Sequence, residues 1–278
     1  MYDGKILPVE EMVEYEEFTD RVEILRELDG WVKNIQLMIS PSTALIAPRR
    51  MGKSVLLDRL VNTVFFKPEY RVAPFYFRMK QEERTLRGFL LEHATTFFRQ
   101  FIAYCVQEPL LYNNADIKLE QLLEYPAKHD AVDLAKQFIE AFLNRYNDNR
   151  YDDDANKWDA FVTAPERLAS YSGIRVAVII DEFQDMKFYV HDVDKSELER
   201  LRKERIINPC LLGMNLTASY GRQAQSRKAP MLVCGSAVTL IFQTVMGGAL
   251  GGRFDFTYLK PFSVPDGAAL LRSLLDIY

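Results

Sequence analysis

Val22, Leu25, Leu28, Trp31, Val32 and Ile35 recur at steps of three and four, which predicts a helix over 21–35. Ser40-Pro41-Ser42 interrupts that spacing. Thr43-Ala44-Leu45-Ile46-Ala47 then forms a short apolar run, the pattern of a buried strand, and 48–52 turns tightly. Helical spacing returns over 54–64 through Val55, Leu56, Leu60, Val61 and Val64. A second strand is expected at 72–77. From 80 to about 170 the pattern is mainly helical, with a stripe through Phe89, Leu90, His93, Phe97, Phe101 and Tyr104. Residues 175–180 form a continuous, β-branched run, so this third strand should be buried on both faces. Residues 196–225 read as helical and rather basic, with a break at Asn208-Pro209. Strands four and five are expected at 230–234 and 255–259, and another helix begins at Asp266.

Strands alternating with helices predict an α/β fold: a parallel sheet with helices on both faces and ligand-binding loops at its carboxyl ends. The 278 residues allow one large domain, or one domain with a small appendage. Lys and Arg number 35 against 39 Asp and Glu, a net charge of -4 that excludes a globally basic nucleic-acid coat but not a local basic patch. The cysteines Cys105, Cys210 and Cys234 are odd in number and far apart. They suit a reducing cytosol better than a disulfide framework or a zinc site. The first residues turn acidic at once, and no apolar run approaches the roughly 20 residues of a membrane helix. The expectation is a soluble, cytoplasmic protein without a membrane partner.

The chemistry concentrates in Ala47-Pro48-Arg49-Arg50-Met51-Gly52-Lys53-Ser54. It matches the phosphate-binding pattern G-x-x-x-x-G-K-S/T with Ala47 in place of the first glycine, and it lies between a strand and a helix, as that pattern requires. Backbone N–H groups of 50–54 would surround a β-phosphate at a helix N-terminus. Lys53 would reach the β- and γ-phosphates, and the Ser54 hydroxyl would bind Mg²⁺. The bland alternative is a chance Gly-Lys-Ser at a helix start. The strand 176–180 ends in Asp181-Glu182. Asp181 is placed to hold the Mg²⁺ shell beside Ser54, and Glu182 to polarise an attacking water. Alone, the two acids could simply face solvent; after a phosphate loop they favour ATP hydrolysis over phosphorylation of a small molecule.

These residues resemble the archaeal-type P-loop ATPases of the STAND/AAA+ group. Phe18-Thr19-Asp20-Arg21-Val22-Glu23-Ile24-Leu25 resembles the opening F-x-x-R-x-x-E-I/L box beside the adenine, with Ile24 where the family has Glu. The loop 47–54, the string Asp181-Glu182-Phe183-Gln184, the strand end Val233-Cys234-Gly235-Ser236 and the pair Gly252-Arg253 resemble its other motifs. The resemblance implies a five-stranded P-loop NTPase sheet in the order 5-1-4-3-2, a domain over 1–265 with a helical insertion at about 80–170, and the start of a truncated or minimal helical lid at 266–278. It implies that ATP or ADP contacts Phe18, Arg21, Pro48, Arg49, Arg50, Met51, Gly52, Lys53, Ser54 and Val55, with Mg²⁺ at Ser54 and Asp181. Glu182 and Lys53 would be catalytic. Ser236 would sense the γ-phosphate, and Arg253 would act as an arginine finger on its own or a neighbour's nucleotide; the competing reading of Arg253 is a surface arginine after a flexible turn.

Three functions compete: an ATPase that remodels or regulates a partner assembly, a nucleotide-gated switch with little hydrolysis, and a DNA-associated motor. The last would need a second motor domain. A protein partner or a homo-oligomer is expected, while net charge gives nucleic acid no support. Arg222, Arg227 and Lys228 form a basic cluster without acids nearby in sequence, and 152–163 lacks the Gly and Glu of a calcium loop.

Overall fold

Five parallel strands stand side by side in the computed structural model, which describes residues 21–127, 129–148, 153–204 and 216–262 together with 264, 267 and 268. They are β1 (Ser42–Ile46), β2 (Val72–Arg78), β4 (Arg175–Asp181), β6 (Met231–Gly235) and β7 (Phe254–Tyr258). Two short strands, β3 (Arg84–Thr85) and β5 (Val190–His191), pair in a separate small sheet. The main sheet runs β2-β4-β6-β1-β7. Its numerals differ from the expected 5-1-4-3-2 because the apolar pattern carries no sign of β3 or β5. Each is two residues long and held by its surroundings, so the chain contains strands that the expectation did not count. Across the sheet, the five long segments lie as 72–78, 175–181, 231–235, 42–46 and 254–258.

The central strands β1, β4 and β6 are buried on both faces, which is why their runs show no polar alternation. β2 is an edge strand, and this position tolerates its Pro74. Side chains cap its open edge, with the Tyr112 hydroxyl donating to Pro74 O at 3.0 Å. Gln100 accepts from Tyr76 N at 2.8 Å and donates to Tyr76 O at 3.0 Å, as a neighbouring strand would. Helices α1 (Val22–Gln36) and α2 (Lys53–Phe65) come first in the chain; Gln100 belongs to the next, α3 (Leu86–Val106), whose aromatic stripe packs on β2. Phe75, Phe77, Phe89, Trp158 and Phe161 all surround the His93 ring within 5.7 Å, centroid to centroid. That cage is apolar enough to push the His93 pKa down to about 3.

Between β2 and β4 the chain is largely helical, through α3, Asp130–Asn147, Asp154–Val162 and Ala164–Ser172. Helices Lys195–Lys203 and Leu216–Gln223 follow β4. The expected break at Asn208-Pro209, Cys210, the Phe18 part of the opening box and the lid from 266 on, apart from 267 and 268, lie outside the described residues. Arg222 is not without an acid: Glu166, distant in sequence, comes within 3.5 Å of it. No helix of the described residues is long and apolar enough to cross a membrane.

Candidate functional site

Parallel pairing brings the carboxyl ends of β1, β4 and β6 to one side of the sheet, since Ile46 pairs with Gly235 and Ile180 with Val233. Everything that follows those strands therefore meets there. After β1 the chain turns through two left-handed residues, Arg50 (φ 63) and Gly52 (φ 74), and enters α2 (Lys53–Phe65). Glycine adopts this conformation freely; an arginine in it is strained by roughly 1–2 kcal/mol. Gly52 caps α2, whose first N–H groups face the loop. Lys53 is almost fully buried, and its Nζ donates to Ala47 O at 3.1 Å and Pro48 O at 2.8 Å, inside the ring of its own loop.

Beside Lys53, the Ser54 hydroxyl donates to Asp181 Oδ2 at 2.8 Å. Asp181 is the last residue of β4 and only 1% exposed. Its other oxygen, Oδ1, accepts from Glu182 N at 3.0 Å and from the Cys234 thiol at 2.8 Å. Burial, with the Asp181 charge next to it, pushes the Cys234 pKa well up, so the sulfur remains a donor. A serine hydroxyl and a carboxylate oxygen in contact are hard oxygen donors of the kind Mg²⁺ takes, so these residues fit that ion.

Glu182 is left-handed as well, at φ 54. That turn carries its carboxylate across to β6, where Oε2 accepts from Ser236 N at 2.8 Å and Ser236 Oγ at 3.0 Å. The Gln184 amide donates to the same oxygen at 2.7 Å and to Asp185 Oδ1 at 3.0 Å. Gln81 closes the chain by donating to Asp185 Oδ2 at 3.1 Å. Burial, helped by Glu182, raises the Asp185 pKa. Gly235 matters here through close approach, because a Cβ on it would lie 1.9 Å from Gln184 Oε1.

Arg49, Met51, Lys53, Ser54, Glu182 and Ser236 line an open hollow of about 340 Å³, together with Arg50, Gly52, Val55 and Gln81. Arg49 Nε reaches Ser236 Oγ at 3.4 Å. Pro48 contributes its carbonyl to Lys53. Arg21 braces the loop from outside, donating to Met51 O at 3.1 Å and Lys260 O at 2.7 Å, with its guanidinium 4.3 Å over the Phe262 ring.

Two expected roles change. Ser236 grips Glu182, which places it as the carboxylate's support in addition to a wall of the hollow. Arg253 does not reach this hollow. It precedes β7 at the amino end of the sheet, where Ser42 pairs with Phe254, while the loop leaves β1 at the opposite end. Its guanidinium donates to Gly221 O of helix Leu216–Gln223. Action on the chain's own nucleotide is thereby corrected; the motif spacing does not say which end of the sheet the arginine occupies.

Sequence reasoning missed Gln81, Asp58 and Arg78, and gave Gln184 no role beyond its place in the Asp181-Glu182-Phe183-Gln184 string. Arg78 ends β2 in register with Asp181. It lies between Asp58 and Asp181, with Nη2 at 3.1 and 3.2 Å from the two Asp58 oxygens and Nε at 3.4 Å from Asp181 Oδ2. Burial pulls the Arg78 pKa down, but Tyr76, Asp58 and Asp181 outweigh it and raise it overall. Burial raises that of Asp58, and Arg78 opposes it. Only the strand register could have revealed this arginine.

No protein-family profile matches the chain, and no curated protein matches it significantly. Among solved structures, the chain is similar in fold to a Walker-type ATPase of Pyrococcus abyssi, with a TM-score of 0.52 and 16% identity. The match covers 96% of this chain and 61% of that one, so the chain spans under two thirds of the solved structure's length.

Proposed function

We propose that the chain binds ATP in the hollow at the carboxyl end of its sheet and hydrolyses it. The observation that carries this reading is the 2.8 Å contact of Ser54 with Asp181, directly beside Lys53 and the α2 N-terminus. The Walker-type fold similarity supports it. In the free chain Lys53 is held by two loop carbonyls. A bound triphosphate would replace them with β- and γ-phosphate oxygens, at a helix end that already favours an anion. Ser54 and Asp181 would hold Mg²⁺, which when bound neutralises phosphate charge.

Glu182 is the candidate base. Ser236 and Gln184 fix its Oε2, and Oε1 takes none of those bonds. In hydrolysis, the water oxygen bonds to the γ-phosphorus while the β–γ bridging bond breaks. The water proton passes to Glu182, and ADP and phosphate leave. Arg49, which reaches Ser236, is a candidate for the γ-phosphate end of the hollow.

The finer reading is a STAND/AAA+ ATPase whose turnover remodels or regulates a partner assembly in the cytoplasm. Its supports are the loop 47–54, the Asp181-Glu182-Phe183-Gln184 string and the bracing of the loop by Arg21. Arg253 would then serve only a neighbour's site. Phosphate release from ATP, with and without Mg²⁺, tests the proposal in the unmodified chain and in Glu182→Gln. Magnesium-dependent turnover that drops at least about a hundredfold in the variant fits hydrolysis through this carboxylate. Equal, near-zero rates in both would leave nucleotide binding without hydrolysis.

A further inference from the structure

Asp58 lies one helical turn beyond Ser54 on α2, and thus on the same face. Asp58 and Asp181 both present carboxylate oxygens to the Arg78 guanidinium, and Ser54 Oγ bonds Asp181 from the loop side. The Asp181 oxygen that faces Arg78 is Oδ2, which also accepts from Ser54. Tyr76 holds the guanidinium from behind: its hydroxyl is 3.1 Å from Nε and 2.8 Å from Nη2. Asp181 and Asp58 are 1% and 6% exposed. Two carboxylates buried against one guanidinium are compensated by its charge; without a cation the alternative is uptake of a proton.

We propose that Arg78 is a built-in counter-ion of Asp181 that competes with the divalent cation at Ser54 and Asp181, and that Asp58 is the anchor onto which it withdraws. The inference rests on the nucleotide reading above. A divalent ion held by Ser54 and Asp181 would share with the Arg78 guanidinium the same carboxylate oxygen, and like charges that share one anion repel. Arg78 has a place to go. It lines a cavity of about 800 Å³ on the side away from the phosphate loop, with Asp58, Tyr76, Lys80 and Thr96 also in its wall. Its contacts with Asp58 involve Nη2, whereas that with Asp181 involves Nε. One can therefore loosen while the other holds. Metal occupancy would thus be passed to the cavity between β2 and α3, whose lining shares no residue with the hollow at the phosphate loop.

The test is Mn²⁺ binding to the ADP complex, followed by electron paramagnetic resonance of free Mn²⁺, so that no turnover is needed. Arg78→Met should tighten Mn²⁺ binding by at least about tenfold, since a competing charge is gone. Asp58→Asn should weaken it, because Asp181 is then the carboxylate left to balance the Arg78 charge. General damage to the site would weaken both variants, so the opposite signs separate competition from misfolding. In the double variant Arg78→Met/Asp58→Asn, the Asp58→Asn effect should vanish. Should it persist in full, Asp58 acts on the metal directly and the anchor role is wrong. Unchanged or weaker Mn²⁺ binding in a folded Arg78→Met would overturn the proposal while leaving nucleotide binding intact. If the unmodified chain took up no ADP at all, the nucleotide reading would fail and this inference with it.

Discussion

Ser236 holds Glu182 twice, with its backbone N–H at 2.8 Å and its hydroxyl at 3.0 Å from the same carboxylate oxygen. The pair bridges β6 and the turn after β4, elements 54 residues apart in sequence. Ser236→Ala removes one of the two bonds and keeps the backbone. Turnover should fall about tenfold with nucleotide affinity nearly unchanged, a split that steady-state kinetics beside equilibrium ADP binding will read. A comparable loss of affinity would instead place Ser236 on the phosphates.

Gly235→Ala tests the same carboxylate from another direction. The new Cβ would collide with Gln184 Oε1, the end of a side chain whose amide ties Glu182 to Asp185. Gln184 can swing aside, but only by releasing both carboxylates. Hydrolysis should drop by about tenfold or more, while stability falls by only about 1–3 kcal/mol. Phosphate release and urea unfolding on the same preparation check both parts.

How much of this was legible in the sequence depends on the range of each signal. The phosphate loop and Asp181-Glu182 are local strings, and their neighbours announce strand and helix. The long strands are dense enough in apolar residues to be placed within a residue. The partnership of Arg78 with Asp181 has no local string; it exists because residue 78 and residue 181 share a register position. β3 and β5 are too short for any period to show. Arg253 carries a motif-like context, but the end of the sheet it occupies follows from where helix Val238–Met246 returns the chain, which its spacing does not state.

Arg253 supplies a prediction that separates its two readings. Its guanidinium bonds Gly221 O, far from the hollow. Arg253→Ala should reduce stability by about 1–2 kcal/mol and leave the turnover of isolated monomers within about twofold. Unfolding curves and turnover measured below any association concentration provide the check. A tenfold loss in monomers would contradict the placement.

His93 makes the fold acid-sensitive. Its cage lowers the pKa to about 3, against 6.5 in the unfolded chain. Above 6.5 both states are neutral and the residue adds no pH dependence. Between 6.5 and 3 the unfolded chain takes up the proton first, so stability falls as pH falls, by roughly 2–3 kcal/mol at pH 4.5. The urea midpoint of His93→Phe should decline less between pH 7 and 4.5 than that of the unmodified chain.

The central claim is that the loop 47–54 and Asp181 form one nucleotide site. Calorimetric titration with ADP and Mg²⁺ tests it most directly, comparing the unmodified chain with Lys53→Ala and Asp181→Asn. The account predicts binding to the unmodified chain, a loss of about a hundredfold or more in Lys53→Ala, and in Asp181→Asn a selective loss of the magnesium-dependent part of the affinity. Equal affinities in all three proteins, or no binding to any of them, would contradict it.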